Sequence, residues 1–399
     1  MHLNEIKKTR EKIKDVINKT PILYSPIFSK MTNCSVYMKC ENLQLTGAYK
    51  IRGALNKIRS LSDEEKSKGV VCSSAGNHAQ GVAYAASLLG VESTIVMPKT
   101  TPYLKIQSTK DFGGNVVLHG NCYDDAFLKA KSIEENNNSV FIHPFNDINV
   151  IYGQGTIALE ILEEISDIDI ILCPIGGGGL ISGISLAAKE INPSIKIIGV
   201  QAEGANAMEQ SFKNGNLISL DSVNTIADGI AVKSPGDLTY KIIKEYVDDI
   251  VTVSDQEIAE AFLILCEKHK LLAEASGAAS LAALKKLNYT NKKIACIISG
   301  GNIDMITISS LINDGLVERG RLFCFTLELP DIPGQLQEIS RILSELNANI
   351  VQLEHNQFKA SNRLKNVLLE VTIETNGIEH INLIKDTFIN MGFKINQMY

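Results

Sequence analysis

A lysine follows a glycine turn in the segment Thr46 to Ala54. Gly47 allows a tight turn, and Tyr49 sets an aromatic ring beside Lys50 at the predicted start of a helix. A lysine amine that is partly desolvated in such a place has a lowered pKa, which an imine-forming amine requires. The alternative is a solvated surface lysine, and this segment alone does not exclude it.

A second segment of small and polar residues joins a predicted strand to a predicted helix. Amides at a helix N-terminus favour a carboxylate or a phosphate, and small residues let a ligand approach the backbone. The amide of Asn77 can donate a hydrogen bond to a phenolate oxygen. An ordinary capped helix start is the alternative. The segment consists of Ser73, Ser74, Ala75, Gly76, Asn77 and His78.

Two glycine-rich turns follow later strands. Gly176, Gly177, Gly178 and Gly179 precede Leu180, and their free N–H groups can cradle a phosphate. Their spacing matches neither the dinucleotide fingerprint nor the nucleoside-triphosphate loop, so neither of these ligands is supported. The alternative to a phosphate site is a flexible tight turn. Ser299 ends another predicted strand, where open α/β sheets place ligands, and its hydroxyl can bond a neutral ring nitrogen.

The elements around these segments predict an α/β fold. Short apolar runs alternate with helical patterns over roughly the first three quarters of the chain. Such continuous apolar strands are typical of open parallel sheets covered on both faces. The predicted strands are 70–72, 93–98, 115–118, 139–142, 168–173, 195–200 and 294–298.

The pattern changes near residue 320. From Leu322 to the C-terminus, the order of strands and helices is β-α-β-β-α-β, which predicts a ferredoxin-like unit. We therefore expect a catalytic domain over 1–318, with a smaller subdomain at about 45–145 inserted in it. Residues 315–321 are interpreted as a linker, and the second domain spans 322–399.

Composition narrows the class of protein. The 399 residues carry a net charge of −6 and are 45% hydrophobic, which indicates a globular protein without a basic nucleic-acid surface. The N-terminus has no apolar signal segment, and no apolar run has the length of a membrane span. The eight cysteines are scattered without CxxC pairs, which predicts buried thiols in a reducing cytoplasm.

Taken together, the motifs resemble the fold-type II pyridoxal-phosphate enzymes, and among them the threonine dehydratases (threonine ammonia-lyases). The resemblance runs from about residue 17 to the linker. It is carried by the segments 41–50, 73–81, 176–180, 226–232 and 299–302. The C-terminal unit is similar to an ACT domain, a module that usually binds an amino acid where two protomers meet.

The resemblance implies a role for each motif. Lys50 would hold pyridoxal 5'-phosphate as a Schiff base, Asn77 would bond its phenolic oxygen, and Ser299 would face its pyridine nitrogen. The four glycines and Leu180 would wrap the phosphate, and the 73–78 segment would hold the substrate carboxylate. Glu274 would lie near the ring.

The implied reaction removes ammonia from L-threonine, giving 2-oxobutanoate, and also from L-serine, giving pyruvate. The alternatives are a serine-preferring dehydratase, a β-replacement synthase of the same fold, and a sensor without catalysis. Serine racemases carry a serine as second base where this chain has Ala75, so racemisation should be negligible. Glu203, Ala207 and Glu209 match the spacing of a divalent-cation site in those racemases; solvated carboxylates are the alternative, and otherwise no metal is expected.

The ACT resemblance implies an amino-acid effector, such as isoleucine or valine, and a homo-oligomer, either a dimer or a tetramer. The sign of the effect, and thus a role in isoleucine biosynthesis or in threonine catabolism, stays open.

Overall fold

The computed structural model describes residues 1–361 and 364–399 and divides into two compact units, Met1–Asp304 and Met305–Tyr399. Helix α14 (Met305–Glu318) clusters with the second unit, although the sequence analysis placed it in the catalytic domain. The first residues of the predicted linker, from Gly315, are therefore helical. They form the last turn of α14.

The larger sheet of the first unit has six strands in the order β1, β2, β10, β7, β8, β9. All neighbouring pairs are parallel except the edge strand β1, which runs antiparallel to β2. The sheet is therefore mixed, and the expectation of a purely parallel sheet is wrong at this edge. The strands are β1 (Ile22–Tyr24), β2 (Ser35–Cys40), β7 (Ile170–Pro174), β8 (Lys196–Ala202), β9 (Asp249–Val253) and β10 (Lys293–Ile298).

The smaller sheet has four strands in the order β5, β4, β3, β6, and every pair is parallel, as predicted. Its strands are β3 (Val70–Ser73), β4 (Ser93–Met97), β5 (Asn115–Leu118) and β6 (Val140–Phe141). Thirteen further helices belong to this unit as the structure describes it, and apolar clusters on the sheet faces form its cores. They are α1 (His2–Ile13), α2 (Pro26–Thr32), α3 (Lys50–Arg59), α4 (Asp63–Ser67), α5 (Asn77–Leu88), α6 (Tyr103–Asp111), α7 (Tyr123–Asn137), α8 (Ile148–Glu164), α9 (Gly179–Ile191), α10 (Ala207–Asn214), α11 (Asp237–Tyr246), α12 (Asp255–Ile264) and α13 (Ala275–Ala282).

The second unit contains a four-stranded antiparallel sheet in the order β12, β13, β11, β14. After α14, the elements follow the predicted β-α-β-β-α-β order, and the apolar faces of two helices pack on the sheet. These elements are β11 (Leu322–Pro330), α15 (Gln335–Glu345), β12 (Asn349–Asn356), β13 (Asn366–Glu374), α16 (Ile378–Asn390) and β14 (Ile395–Gln397).

In the described residues, none of the helices combines the length and the apolar character that a bilayer crossing needs. All eight cysteines are free thiols, and six are buried as expected, but Cys122 is exposed and Cys266 is partly exposed.

Candidate active site

The carboxyl ends of parallel strands from both sheets border one cavity of about 550 Å³ in the first unit. The turn after β3 contributes residues 73–78, the turn after β7 contributes 176–180, and Ser299 follows β10. Lys50, at the start of α3, also lines it. Every residue that the sequence analysis assigned to cofactor or substrate therefore borders the same space.

Lys50 presents its amine inside this cavity. The Nζ atom donates a hydrogen bond to the backbone oxygen of Pro144 at 2.9 Å and lies 5.3 Å from the centre of the Tyr49 ring. Burial lowers the pKa of Lys50 to about 8, although the carboxyl group of Glu274 acts in the opposite direction. A substantial fraction of the amine is thus neutral near physiological pH.

The glycine turn after β7 has room for backbone only. Gly178 has a φ of +94°, and a Cβ atom there would lie 2.8–2.9 Å from the side chains of Ile243, Met208 and Thr239. A Cβ atom on Gly177 would lie 2.3 Å from the ring of Phe145. Because α9 begins at Gly179, its free N–H groups face the turn, and this arrangement suits a phosphate.

A hydrogen-bonded chain of polar side chains borders the cavity. Asn302 donates to the side-chain oxygen of Asn77 at 2.8 Å, and Asn77 donates to Glu274 at 2.8 Å. Burial and the charge of Asp228 raise the pKa of Glu274 to about 7, against the opposing effect of the hydrogen bond from Asn77. The second N–H of the Asn77 amide is left for a ligand acceptor.

The segment His143 to Asn146, which follows β6, was not identified from the sequence. The Nδ1 atom of His143 accepts hydrogen bonds from the backbone N–H groups of Phe145 and Asn146, at 3.2 and 2.8 Å. Burial and the nearby charge of Lys50 lower the pKa of His143 to about 4, so the ring is neutral and keeps this acceptor. Pro144 meets Lys50, and Phe145 lies against the glycine turn. The position of this segment at the end of a parallel strand was the feature of the sequence that could have identified it as part of the site.

The cavity fits pyridoxal phosphate. The hydroxyl groups of Ser73 and Ser276 border it and are buried without a hydrogen-bond partner in the described residues. The Ser299 hydroxyl makes only a long contact of 3.5 Å with the backbone oxygen of Ser276. A ligand with acceptor atoms would satisfy these groups.

The proposed cation positions lie away from this cavity. Glu203 pairs with Lys286 at 3.4 Å, and Glu209 pairs with Lys213. In residues 1–361 and 364–399, no group of three or more His, Cys, Asp or Glu side chains is arranged to hold a metal ion.

Two sheets that gather an amine, a glycine turn and hydroxyl groups at one crevice define an enzyme that works on a phosphorylated, imine-forming cofactor. Residues 13–300 match the sequence profile of the family described as "Pyridoxal-phosphate dependent enzyme". The chain belongs to this family, whose cofactor is pyridoxal phosphate.

Three relatives illustrate the similarity. The L-threonine ammonia-lyase of Thermotoga maritima is 46% identical over 394 residues, 98% of both chains. The catabolic L-threonine dehydratase TdcB of Escherichia coli is 45% identical over 313 residues, 77% of this chain and 95% of that protein. The solved structure of maize serine racemase matches with a TM-score of 0.75 and 39% identity, covering 80% of this chain and 98% of that one.

Proposed function

We propose that the chain deaminates L-threonine to 2-oxobutanoate and ammonia, and L-serine to pyruvate and ammonia, at a slower rate for serine. The observation that carries the proposal is the convergence of Lys50, Asn77, the glycine turn and Ser299 on one cavity. The 98% coverage of a relative named L-threonine ammonia-lyase supports it.

Each group has an assigned place. The Lys50 amine would bind the cofactor, and the 176–180 turn would take its phosphate. Asn77 would donate to its phenolic oxygen, and Ser299 would contact its ring nitrogen. Pyridoxal phosphate, when bound, delocalises the negative charge that develops at the α-carbon of an amino acid.

The side chains then handle protons and orientation. The neutral Lys50 amine would be the base that takes the α-proton of the substrate, and its lowered pKa suits this role. The start of α5 and the 73–78 turn offer backbone N–H groups to the substrate carboxylate. Ser299, which carries a hydroxyl and not an acidic group, would leave the ring nitrogen of the cofactor without a full positive charge, and this would favour elimination.

The proposal is tested by measuring ammonia release from L-threonine and L-serine with the purified, cofactor-loaded chain. We expect both activities, with threonine preferred, and their loss in Lys50→Ala. Borohydride reduction should attach the cofactor to Lys50 in the wild-type chain. A chain that binds the cofactor but releases no ammonia would contradict the proposal and favour a sensor, whereas sulfide-dependent product formation would indicate a β-replacement synthase.

Racemisation should be negligible because Ala75, which borders the cavity, has no group that can carry a proton. Chiral analysis of L-serine reactions provides the measurement. Formation of D-serine at a rate close to that of ammonia release would show that a second base exists elsewhere.

The C-terminal unit is proposed to be a regulatory ACT domain. Its antiparallel sheet and element order support this, as does a cavity of about 280 Å³ lined mainly by residues 329–337, which run from the end of β11 into the start of α15. Asp331 offers a carboxylate there for an ammonium group, and the start of α15 offers N–H groups for a carboxylate, so an amino acid such as isoleucine or valine fits. We propose a cytoplasmic homo-oligomer, as a dimer or a tetramer. Inhibition by isoleucine would indicate a biosynthetic role.

A further inference from the structure

Four charged side chains are buried together in the first unit, outside the active-site cavity. Lys39 lies on β2, Glu41 follows that strand, Arg52 lies on α3 and Glu160 lies on α8. Their exposed fractions are 0%, 0%, 1% and 7%. Two cations and two anions balance one another, as buried charges require.

Arg52 connects the two carboxylates. On one edge, its Nε and Nη2 atoms donate to the two oxygens of Glu41 at 2.8 and 2.9 Å. On the other edge, its Nη1 and Nη2 atoms donate to the two oxygens of Glu160 at 2.6 and 3.0 Å. Such two-pronged pairs fix the orientation of a guanidinium group as well as its distance.

Lys39 and Thr20 add further hydrogen bonds to the two carboxylates. The Nζ atom of Lys39 donates to Glu160 at 2.5 Å and to the backbone oxygen of Thr20 at 2.6 Å. The hydroxyl of Thr20 donates to Glu41 at 2.5 Å. Burial by itself would lower the pKa of Arg52, but Glu41 and Glu160 raise it above its ordinary value, so the guanidinium remains charged.

This cluster links the two ends of the segment 41–52, which carries Lys50. Glu41 and Arg52 are its first and last residues, and their side chains are hydrogen-bonded to each other. Between them, the backbone N–H of Tyr49 donates to the backbone oxygen of Ser299 at 3.1 Å. A Cβ atom on Gly153 of α8 would lie 2.5 Å from the backbone oxygen of Arg52, so the first turn of α3 also packs closely on α8.

A buried ion cluster is a weak source of stability, since well-packed apolar side chains of similar size often serve as well. It does impose one geometry on the elements it joins. We propose that Arg52 is a positioning residue: through the buried cluster, it holds the first turn of α3 and thereby the Lys50 amine at its place in the cavity. The proposal rests on the proposed function only where turnover is measured.

The effect is one of position. The pKa of Lys50 is lowered by burial and raised by Glu274, which both act inside the cavity. A small displacement of the Lys50 amine should therefore slow proton abstraction and weaken the attachment of the cofactor. The binding of the substrate carboxylate should stay intact.

The test compares three variants as cofactor-loaded full-length enzymes. Arg52→Lys keeps the positive charge but loses the planar set of guanidinium N–H donors. The double variant Arg52→Met with Glu41→Gln removes one charge of each sign and leaves Lys39 paired with Glu160. Arg59→Met is the matched control, because Arg59 lies on the same helix and pairs with Asp15 at the surface.

For Arg52→Lys and the double variant, we expect kcat to fall about tenfold or more with KM for threonine changed less than about twofold. The fraction of Lys50 trapped with cofactor by borohydride should fall, and the absorption band of the bound cofactor should change. Arg59→Met should match wild type in all four measurements.

A merely structural role would lower the melting temperature and leave kcat per cofactor-loaded site, the trapped fraction and the absorption band as in wild type; this result would overturn the proposal. If wild type does not deaminate threonine, the proposed function fails, but the trapped fraction and the absorption band still decide the role of Arg52.

Discussion

The Lys50 amine has few neighbouring groups that can stabilise its positive charge. Its hydrogen bond goes to a neutral backbone oxygen, that of Pro144, and Glu274 is the carboxyl group that raises its pKa against the effect of burial. The pKa of Glu274 is itself raised to about 7, so above neutral pH this carboxyl is mostly ionised. The proton affinity of the Lys50 amine thus depends on a second titrating group in the same cavity.

Glu274→Gln should therefore lower the pKa of Lys50. The substituted amide oxygen can still accept from Asn77, but the negative charge that favours the ammonium form is gone. We expect the pH midpoint for modification of Lys50 by an amine-reactive reagent, near 8 in the cofactor-free wild type, to move to lower pH. Peptide mass spectrometry across a pH series measures it.

The control is Glu260→Gln, which removes an equal charge from a surface pair with Lys285. Its midpoint should match that of wild type. A midpoint that rises in Glu274→Gln, or that moves equally in both variants, would show that Glu274 does not set the charge of Lys50.

Single residues were predictable from the sequence where a chemically distinctive side chain stood at a helix start after a turn or at the end of an apolar strand. Lys50 and Asn77 were found in the first way and Ser299 in the second, and all three border the cavity. Pro144 was not found, because it contributes a backbone oxygen, which any residue type supplies. Phe145 matters through its contact with Gly177, which only the tertiary structure brings about.

Among the elements, the turn from β7 into α9 has little tolerance for change. Gly178→Ala would combine a strained φ of +94° with three side-chain contacts of 2.8–2.9 Å. Relieving them must move the N–H groups of the turn that we propose for the cofactor phosphate, at a cost of about 1–3 kcal/mol. We expect the dissociation constant for pyridoxal phosphate to rise about tenfold or more, as measured by fluorescence titration.

Gly215→Ala is the matched control for backbone strain. Gly215 caps α10 with a φ of +77°, and no atom lies within 4 Å of a Cβ atom placed there. This variant should lose about 1 kcal/mol of unfolding free energy and keep its affinity for the cofactor. Equal affinities in Gly178→Ala and wild type would mean that the phosphate binds elsewhere.

Strands were predictable where they are apolar throughout. Strand β7 is buried at every position and reads as one apolar run, so it was found directly. Strand β2 was missed because Lys39 interrupts its apolar pattern, although this lysine is fully buried. Only the partners Glu41 and Glu160, which come from other elements, make a lysine acceptable at that position.

At the scale of the whole chain, the change from parallel to antiparallel pairing was visible in the sequence, because the β-α-β-β-α-β order of elements after residue 320 differs from the alternation of strands and helices before it. The place where the units divide was not visible, since α14 continues a helical apolar pattern across the predicted linker. Compact units are defined by contacts between distant residues, and a single sequence does not display those contacts.

The proposed regulation makes a prediction for the full-length chain. In wild type, isoleucine or valine should change the rate of threonine deamination. Gln335→Glu places a negative charge at the start of α15, inside the cavity of the second unit, where it would repel the effector carboxylate. The effector concentration for half-maximal response should rise about tenfold or more, while the rate without effector stays unchanged.

Asn382→Asp adds the same charge on the exposed side of α16 and should respond as wild type does. If Gln335→Glu and wild type respond at the same effector concentration, the amino acid acts at another site, and the cavity between β11 and α15 is not regulatory.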